Sequence, residues 1–292
     1  MANLKDLRNR ITSVQSTRQI TSAMKMVAAA KLRKAQEAIV RLRPYANKLE
    51  EILSNLSAGM ESMEENSYTD IRELRNVLIV VFTSNRGLCG AFNSNSVKKA
   101  ISLAEEQYTS QLENDRVSFI AVGKKAADVL KKKKYNLLNS YTEIYDQLTF
   151  ENVIPIAETI MNYFTDKRFD KVELVYNQFK SAGVQVLTEE QFLPIKPDEE
   201  EEGSMKHDYI FEPSKEFIVS ELIPKSLKIQ FYKALLDSNA SEQGARMTAM
   251  HMATENATEL IRELRLYYNK ARQAAITNEI LEIVSGAEAL KG

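Results

Sequence analysis

The sequence predicts an α/β fold with long helices, in which an antiparallel coiled coil of the N- and C-terminal helices is joined to a central α/β domain. Three observations carry this. First, the 292 residues hold only nine Gly and six Pro, about 3% and 2% where ordinary domains use ~7% and ~5%. Second, these breakers avoid the ends: none precedes Pro44, and beyond Pro224 only Gly244, Gly286 and Gly292 remain. Third, the stretch between them alternates short apolar runs with helical patterns, the signature of strands connected by helices.

The N-terminal element is read by stepping alternately three and four residues from Leu4. The series runs Leu4, Leu7, Ile11, Val14, Arg18, Thr21, Lys25, Ala28, Leu32, Ala35, Ile39, Leu42, Ala46, Leu49, Leu53, Leu56. Its period of 3.5 is that of a left-handed coiled-coil seam. The only polar members, Arg18, Thr21 and Lys25, are consecutive and interrupt the seam once. Pro44 lies off the seam, where it can bend the helix without ending it.

In the middle, VLIVVFT (Val77–Thr83) reads as a buried strand, Ser94–Leu112 as a helix and VSFIAV (Val117–Val122) as a second strand. A helix over Lys124–Lys133, a helix over Val153–Phe164 and a strand over Val172–Phe179 follow. Val184–Leu193 and Asp208–Phe211 complete the strand set. The order implies a mainly parallel, Rossmann-like sheet. The acidic run Asp198–Glu202 reads as a solvated loop.

The C-terminal element repeats the first pattern through Met250, Ala253, Ala257, Leu260, Leu264, Tyr267, Ala271, Ala274, Asn278 and Leu281. Its alanines allow a close partner. At ~1.5 Å per residue, each terminal helix makes a rod of roughly 80 to 90 Å, which must project and therefore needs a partner. Mutual antiparallel pairing is the economical solution, and two separate coiled coils binding other proteins is the competing one. The boundaries follow: 1–58 for the first helix, 70–212 for the α/β domain and 214–290 for the second helix.

Composition narrows the function. Net charge is −1, which argues against a globally basic nucleic-acid binder. The charge is unevenly placed, however: residues 1–50 hold eleven Lys/Arg against three Asp/Glu, a surplus of +8 offset by −9 elsewhere. Nucleic acid or an acidic protein surface would suit that helix, but Tyr45 is its only aromatic, which disfavours base stacking. One cysteine, Cys89, permits no internal disulfide, and with only His207 and His251 a Cys/His zinc site is not expected. The longest apolar run is six residues, Val77–Phe82, far short of the ~20 of a membrane helix. No secretory h-region opens the chain, so a soluble protein of a reducing compartment is expected.

SNRGLCGAFN (Ser84–Asn93) stands between a strand and a helix, where doubly wound folds cradle phosphates. It matches neither glycine-rich fingerprint, and an exposed contact loop carrying Arg86 is the stronger reading. No nucleophile–base pair or carboxylate pair stands out, so neither catalysis nor a cofactor is expected.

Particular stretches carry a resemblance. MKMVAAAKLRKAQ (Met24–Gln36), SNRGLCG, SEQGARMTAM (Ser241–Met250) and ARQAAITNEILEIVSGAEAL (Ala271–Leu290), in that order, resemble the bacterial-type gamma-subunit family of F-type ATP synthases. The family's closing signature is met by Ile276, Thr277, Glu279, Glu282, Gly286 and Ala287. The resemblance covers nearly the whole chain. It implies a non-catalytic rotor shaft that couples proton-driven rotation of a membrane ring to conformational change in catalytic beta subunits. The implied partners are the alpha and beta subunits, a small epsilon subunit and the ring of c subunits, at the cytoplasmic face of the bacterial inner membrane, without nucleic acid. Contacts with beta subunits are implied for Met24, Lys25, Arg86, Arg246, Arg272, Gln273, Thr277 and Glu279, and with the membrane ring for Tyr209 and Glu212. The single cysteine departs from chloroplast-type relatives, which carry an inserted regulatory cysteine pair, and no transit sequence of the mitochondrial kind is seen. The alternative function is a coiled-coil scaffold whose α/β domain binds a small ligand.

Overall fold

A computed structural model describes residues 4–57, 67–195 and 215–289. In chain order the elements are α1 (Leu4–Ser57), β1 (Val77–Phe82), α2 (Phe92–Gln107), α3 (Thr109–Glu113), β2 (Val117–Val122), α4 (Lys124–Lys132), β3 (Leu137–Tyr141), α5 (Phe150–Thr165), β4 (Lys171–Phe179), β5 (Gln185–Leu193) and α6 (Lys215–Ala289). The chain divides into two units, Ala29–Arg246 and the pair of segments Met1–Ala28 and Met247–Gly292.

In the Ala29–Arg246 unit the five strands form one sheet in the order β3-β2-β1-β4-β5. β1 pairs in parallel with both β2 and β4, β2 in parallel with β3, and β4 antiparallel with β5. The mainly parallel sheet is thus as expected. Every residue of β1 and β2 is buried, because a parallel sheet is covered on both faces. Alternate residues feed two cores. Leu78, Val80 and Phe82 meet Val153, Ile160 and Phe164 of α5 and Leu227, Phe231 and Leu235 of α6. Val77, Ile79 and Val81 meet Val97, Ala100 and Ala104 of α2 and Ala126 and Leu130 of α4. The sheet is therefore sandwiched between helices, with α6 packed on the α5 side.

Local chemistry fixes the joints. After β2 the chain turns through Gly123 at φ +109°, and a Cβ there would meet the Thr83 carbonyl oxygen at 2.1 Å; only glycine fits. The Thr83 hydroxyl accepts the Ala126 amide at 2.9 Å, satisfying an orphan donor in the first turn of α4. The expected Ser94–Leu112 helix breaks at Tyr108. Its buried ring is held by a hydrogen bond to Glu173 at 2.9 Å, and Lys171 pairs with the same carboxylate at 2.9 Å. Burial, first, and the neighbouring Glu173 raise the Tyr108 phenol to about 12, so it donates at any physiological pH. β3 was not among the expected strands. It is an edge strand, half-buried or exposed throughout.

α1 passes through Pro44 and α6 through Pro224 without ending. All described members of the N-terminal seam, the polar three included, are buried or half-buried. Within the Ala29–Arg246 unit, Ala46 and Leu49 pack on Ile229. Within the other unit, the Arg8 guanidinium donates to the Tyr268 hydroxyl at 3.0 Å and the Thr254 hydroxyl to that of Thr21 at 2.8 Å. Rising number on α1 meets falling number on α6, so the pairing is antiparallel. The C-terminal seam differs from the expected one in phase. Met250, Ala257 and Leu264 are buried as expected, but Ile261 is buried where Leu260 is only half-buried, and Tyr267 is 63% exposed while Tyr268 faces Arg8. Both tracks are apolar in this stretch, and a stripe wider than one residue does not declare its centre. The expected strand at Asp208–Phe211 lies outside the described residues.

Candidate functional site

The C-terminal end of β1 lies next to β4, where the strand order turns back on itself. Open α/β sheets bind ligands in the crevice outside such strand ends. Here α6 occupies it. Ser241 is fully buried and donates from its hydroxyl to the Asn177 carbonyl on β4 at 2.9 Å. A Cβ on Gly244 would stand 3.1 Å from the Ala182 carbonyl oxygen, so glycine lets the helix and the turn after β4 approach closely. The reading of this domain as a small-ligand receptor is not favoured by that arrangement.

The loop after β1 is tied together internally. The Ser84 amide donates to Asn93 Oδ1 at 2.8 Å, and the Asn93 side-chain amide donates to Ser84 Oγ at 2.8 Å and to Cys89 Sγ at 3.1 Å. The Ser84 hydroxyl donates to the Arg86 carbonyl at 2.6 Å. Cys89 is buried, and burial raises its thiol above the usual range despite the Ser84 contact, which makes it an inert packing thiol. The loop crosses Leu88 at φ +65°, leaving that side chain 64% exposed beside the exposed Arg86. Asn85 ties the base of the loop to its neighbours, donating to the Thr142 carbonyl at 2.7 Å and accepting the Lys124 amide at 3.0 Å.

Arg246 closes this cluster from α6. Its guanidinium donates to the carbonyls of Gly87 and of Arg86, the latter at 3.3 Å, and pairs with Glu242 at 2.6 Å. Burial pushes the Glu242 carboxyl up, and the Arg246 bond and charge pull it back. Arg86 and Arg246, singled out separately in the sequence, are thus brought together.

The remaining described candidates lie in the other unit. Met24 and Lys25 are half-buried on α1. Arg272, Gln273, Thr277 and Glu279 are all exposed on α6, where the Thr277 hydroxyl returns to the Gln273 carbonyl at 3.0 Å. Gln273 and Thr277 share a face by their i, i+4 spacing, as Arg272 and Glu279 do by i, i+7. The same unit holds a cleft of about 340 Å³ lined by Gln15, Arg18, Arg262, Arg265 and Asn269, among others. Arg262 and Arg265 lie outside the basic N-terminal segment, in a part of the sequence with a net negative charge, and only folding places them beside Arg18. Tyr209 and Glu212 lie outside the described residues.

Among the described residues no cluster of three or more His, Cys, Asp or Glu could hold a metal ion, and no helix is long and apolar enough to cross a membrane. His251 faces Glu255 at 3.5 Å on the surface of α6.

Comparison with known proteins places these features in a family. The family model described as ATP synthase matches residues 3–290. The ATP synthase gamma chain of Flavobacterium johnsoniae is 59% identical over 292 residues, the full length of both chains. That of Cytophaga hutchinsonii is 54% identical over 99% of each. Among solved structures, the central stalk and c-ring of the Tetrahymena thermophila mitochondrial ATP synthase contains a chain 28% identical, with a TM-score of 0.61 over 80% of this chain and 99% of that one. A chain of the Euglena gracilis mitochondrial ATP synthase shares the fold, with a TM-score of 0.67 at 23% identity over 98% of this chain and 94% of that one. With a family model spanning nearly every residue and full-length relatives above half identity, the chain belongs to the ATP synthase family, among its gamma chains.

Proposed function

We propose that this gamma chain is the central rotor stalk of a proton-translocating F-type ATP synthase, turned by its membrane ring and pushing the catalytic beta subunits through states of different nucleotide affinity. It performs no chemistry itself. Such a shaft acts by population shift: each orientation presents a different surface to each surrounding subunit and stabilises a different conformer of it. The observation that carries the reading is the antiparallel pair formed by α1 and α6, whose outward residues mix charged side chains with exposed apolar ones, and the exposure of the last turns of α6 from Ile276 on.

The named side chains suit the task. Arg272 and Glu279 offer charges of opposite sign seven residues apart on one face, and Gln273 and Thr277 offer neutral hydrogen bonds beside them. Arg18, Arg262 and Arg265 converge on one cleft, which an acidic loop of a beta subunit would fill, since guanidinium forks bind carboxylates two bonds at a time. Met24 and Lys25 stand where the seam is interrupted, and Arg86 and Leu88 form a second, separate contact knuckle. Tyr209 and Glu212 are assigned to the membrane ring and the α/β domain to the epsilon subunit. The chain sits peripherally on the cytoplasmic face of the bacterial inner membrane, held there by its complex.

Co-expression of the full-length chain with alpha and beta subunits should yield a complex that hydrolyses ATP, and failure to associate where the ring itself assembles would overturn the reading. Arg272→Ala combined with Glu279→Ala should lower ATP synthesis in inverted membrane vesicles roughly ten-fold, equivalent to the loss of about two exposed contacts. Helix content should be unchanged, because both side chains are exposed. Wild-type synthesis rates in that double variant would remove these residues from the coupling surface.

A further inference from the structure

The loop after β1 presents Arg86 and Leu88 outward, and from the α6 side Arg246 supports that posture. Leu88 holds a left-handed φ of +65°, a conformation that a branched aliphatic residue keeps only when its surroundings impose it. The Arg86 carbonyl is a shared acceptor, taking the Ser84 hydroxyl at 2.6 Å and Arg246 Nη2 at 3.3 Å, with Cys89 Sγ at 3.9 Å. The next carbonyl, Gly87, takes Arg246 Nη1. The Arg246 side chain is only 12% exposed and its partner Glu242 10%, so water competes weakly for these bonds.

We infer that Arg246 is a positioning residue: it clamps the two carbonyls of the Arg86–Gly87 knuckle to α6 through Glu242, and so sets how Arg86 and Leu88 are presented to a partner. The consequence for coupling rests on the rotor reading; the clamp itself does not. The arrangement requires arginine, because a lysine offers one compact ammonium where two carbonyls and a carboxylate must be reached from a planar fork. It also sets a competition. A carboxylate from a partner subunit that takes the Arg246 fork must displace Glu242 or release the knuckle, so Arg246 cannot serve both roles in one conformation.

Cys89 supplies the readout. It is the only cysteine in the sequence, it is 1% exposed, and it lies beneath the clamped carbonyl. Its rate of modification by a maleimide in the full-length native chain reports opening of the loop. Arg246→Lys keeps a charge beside Glu242 but loses the fork; Arg246→Ala with Glu242→Gln removes both partners without stranding a buried charge. Both should raise the Cys89 modification rate at least about five-fold at an unchanged unfolding midpoint, because a local opening equilibrium has been shifted. Lys99→Ala, which removes the ion pair with Glu189 on the sheet, should leave the rate at the wild-type value. A smaller rise in both Arg246 variants, or an equal rise in Lys99→Ala, overturns the inference. Because the labelling is done on the chain alone, its failure is separate from failure to assemble with alpha and beta subunits.

Discussion

The sheet domain and the far part of α6 hold similar apolar residues and treat them in opposite ways. In β1, six consecutive apolar residues are fully covered by helices of the same chain. Between residues 276 and 284 of α6, Ile276, Ile280, Leu281, Ile283 and Val284 are each at least 47% exposed. The first region is completed within its own chain, as a hydrophobic core must be to fold. The second is a surface of the kind that other chains cover. The contrast teaches that the core that stabilises this chain and the apolar surface it leaves uncovered lie in different stretches.

Substitutions should separate them. The largest effect is expected at Phe231, fully buried against Phe82 and Phe192. Phe231→Ala should cost about 3–5 kcal/mol in urea unfolding followed by circular dichroism. Ile283→Ala, on a side chain 71% exposed, should stay within about 0.5 kcal/mol. Equal losses would break the comparison. Next, one substitution should change sign between the regions. Gly123→Ala drives a methyl group into the Thr83 carbonyl at a φ only glycine favours and should destabilise by about 2–4 kcal/mol. Gly286→Ala, in the last turn of α6, meets nothing within 4 Å and should stabilise by up to about 0.5 kcal/mol.

A third test uses pH. Asp237 is 3% exposed, and its Oδ1 has no hydrogen-bond partner. Burial, against the pull of Arg43, Lys233 and the Phe179 amide and with a further push from Glu190, raises it from 3.8 to about 6. The folded state therefore keeps this proton at pH values where the unfolded chain has lost it. The site contributes most below about pH 4, and its contribution falls as pH rises to about 6. Asp237→Asn should remove that fall, gaining up to about 3 kcal/mol over wild type at pH 7.5 and little at pH 4. A difference that does not grow with pH would show that the carboxylate is better solvated than its burial implies.

The parts of the fold that were legible in the sequence are those set by local pattern. VLIVVF and VSFIAV are strands because an unbroken β-branched and aromatic run suits a doubly covered sheet. The N-terminal seam is legible because burying one stripe of a long helix requires period 3.5. Features decided by distant contacts were not. Among the described residues LLNSY (Leu137–Tyr141) pairs only with β2, and as an edge strand it needs no apolar alternation. No Gly or Pro marks the break at Tyr108; the Glu173 carboxylate on the interior strand β4 holds that ring in place. Among the candidate residues, Arg246 was found by motif, but its bonds run to backbone carbonyls some 160 positions away, and a carbonyl has no sequence signature.

Ser241 and Arg246 differ by five residues on α6, which turns their directions about 140° apart on the helix. One is bonded to β4 and the other to the loop after β1, with Gly244 seated between them against the turn after β4. A cylinder gripped from two such directions is keyed and cannot spin in its seat. A twisting moment on this stretch of α6 therefore enters the sheet without slip.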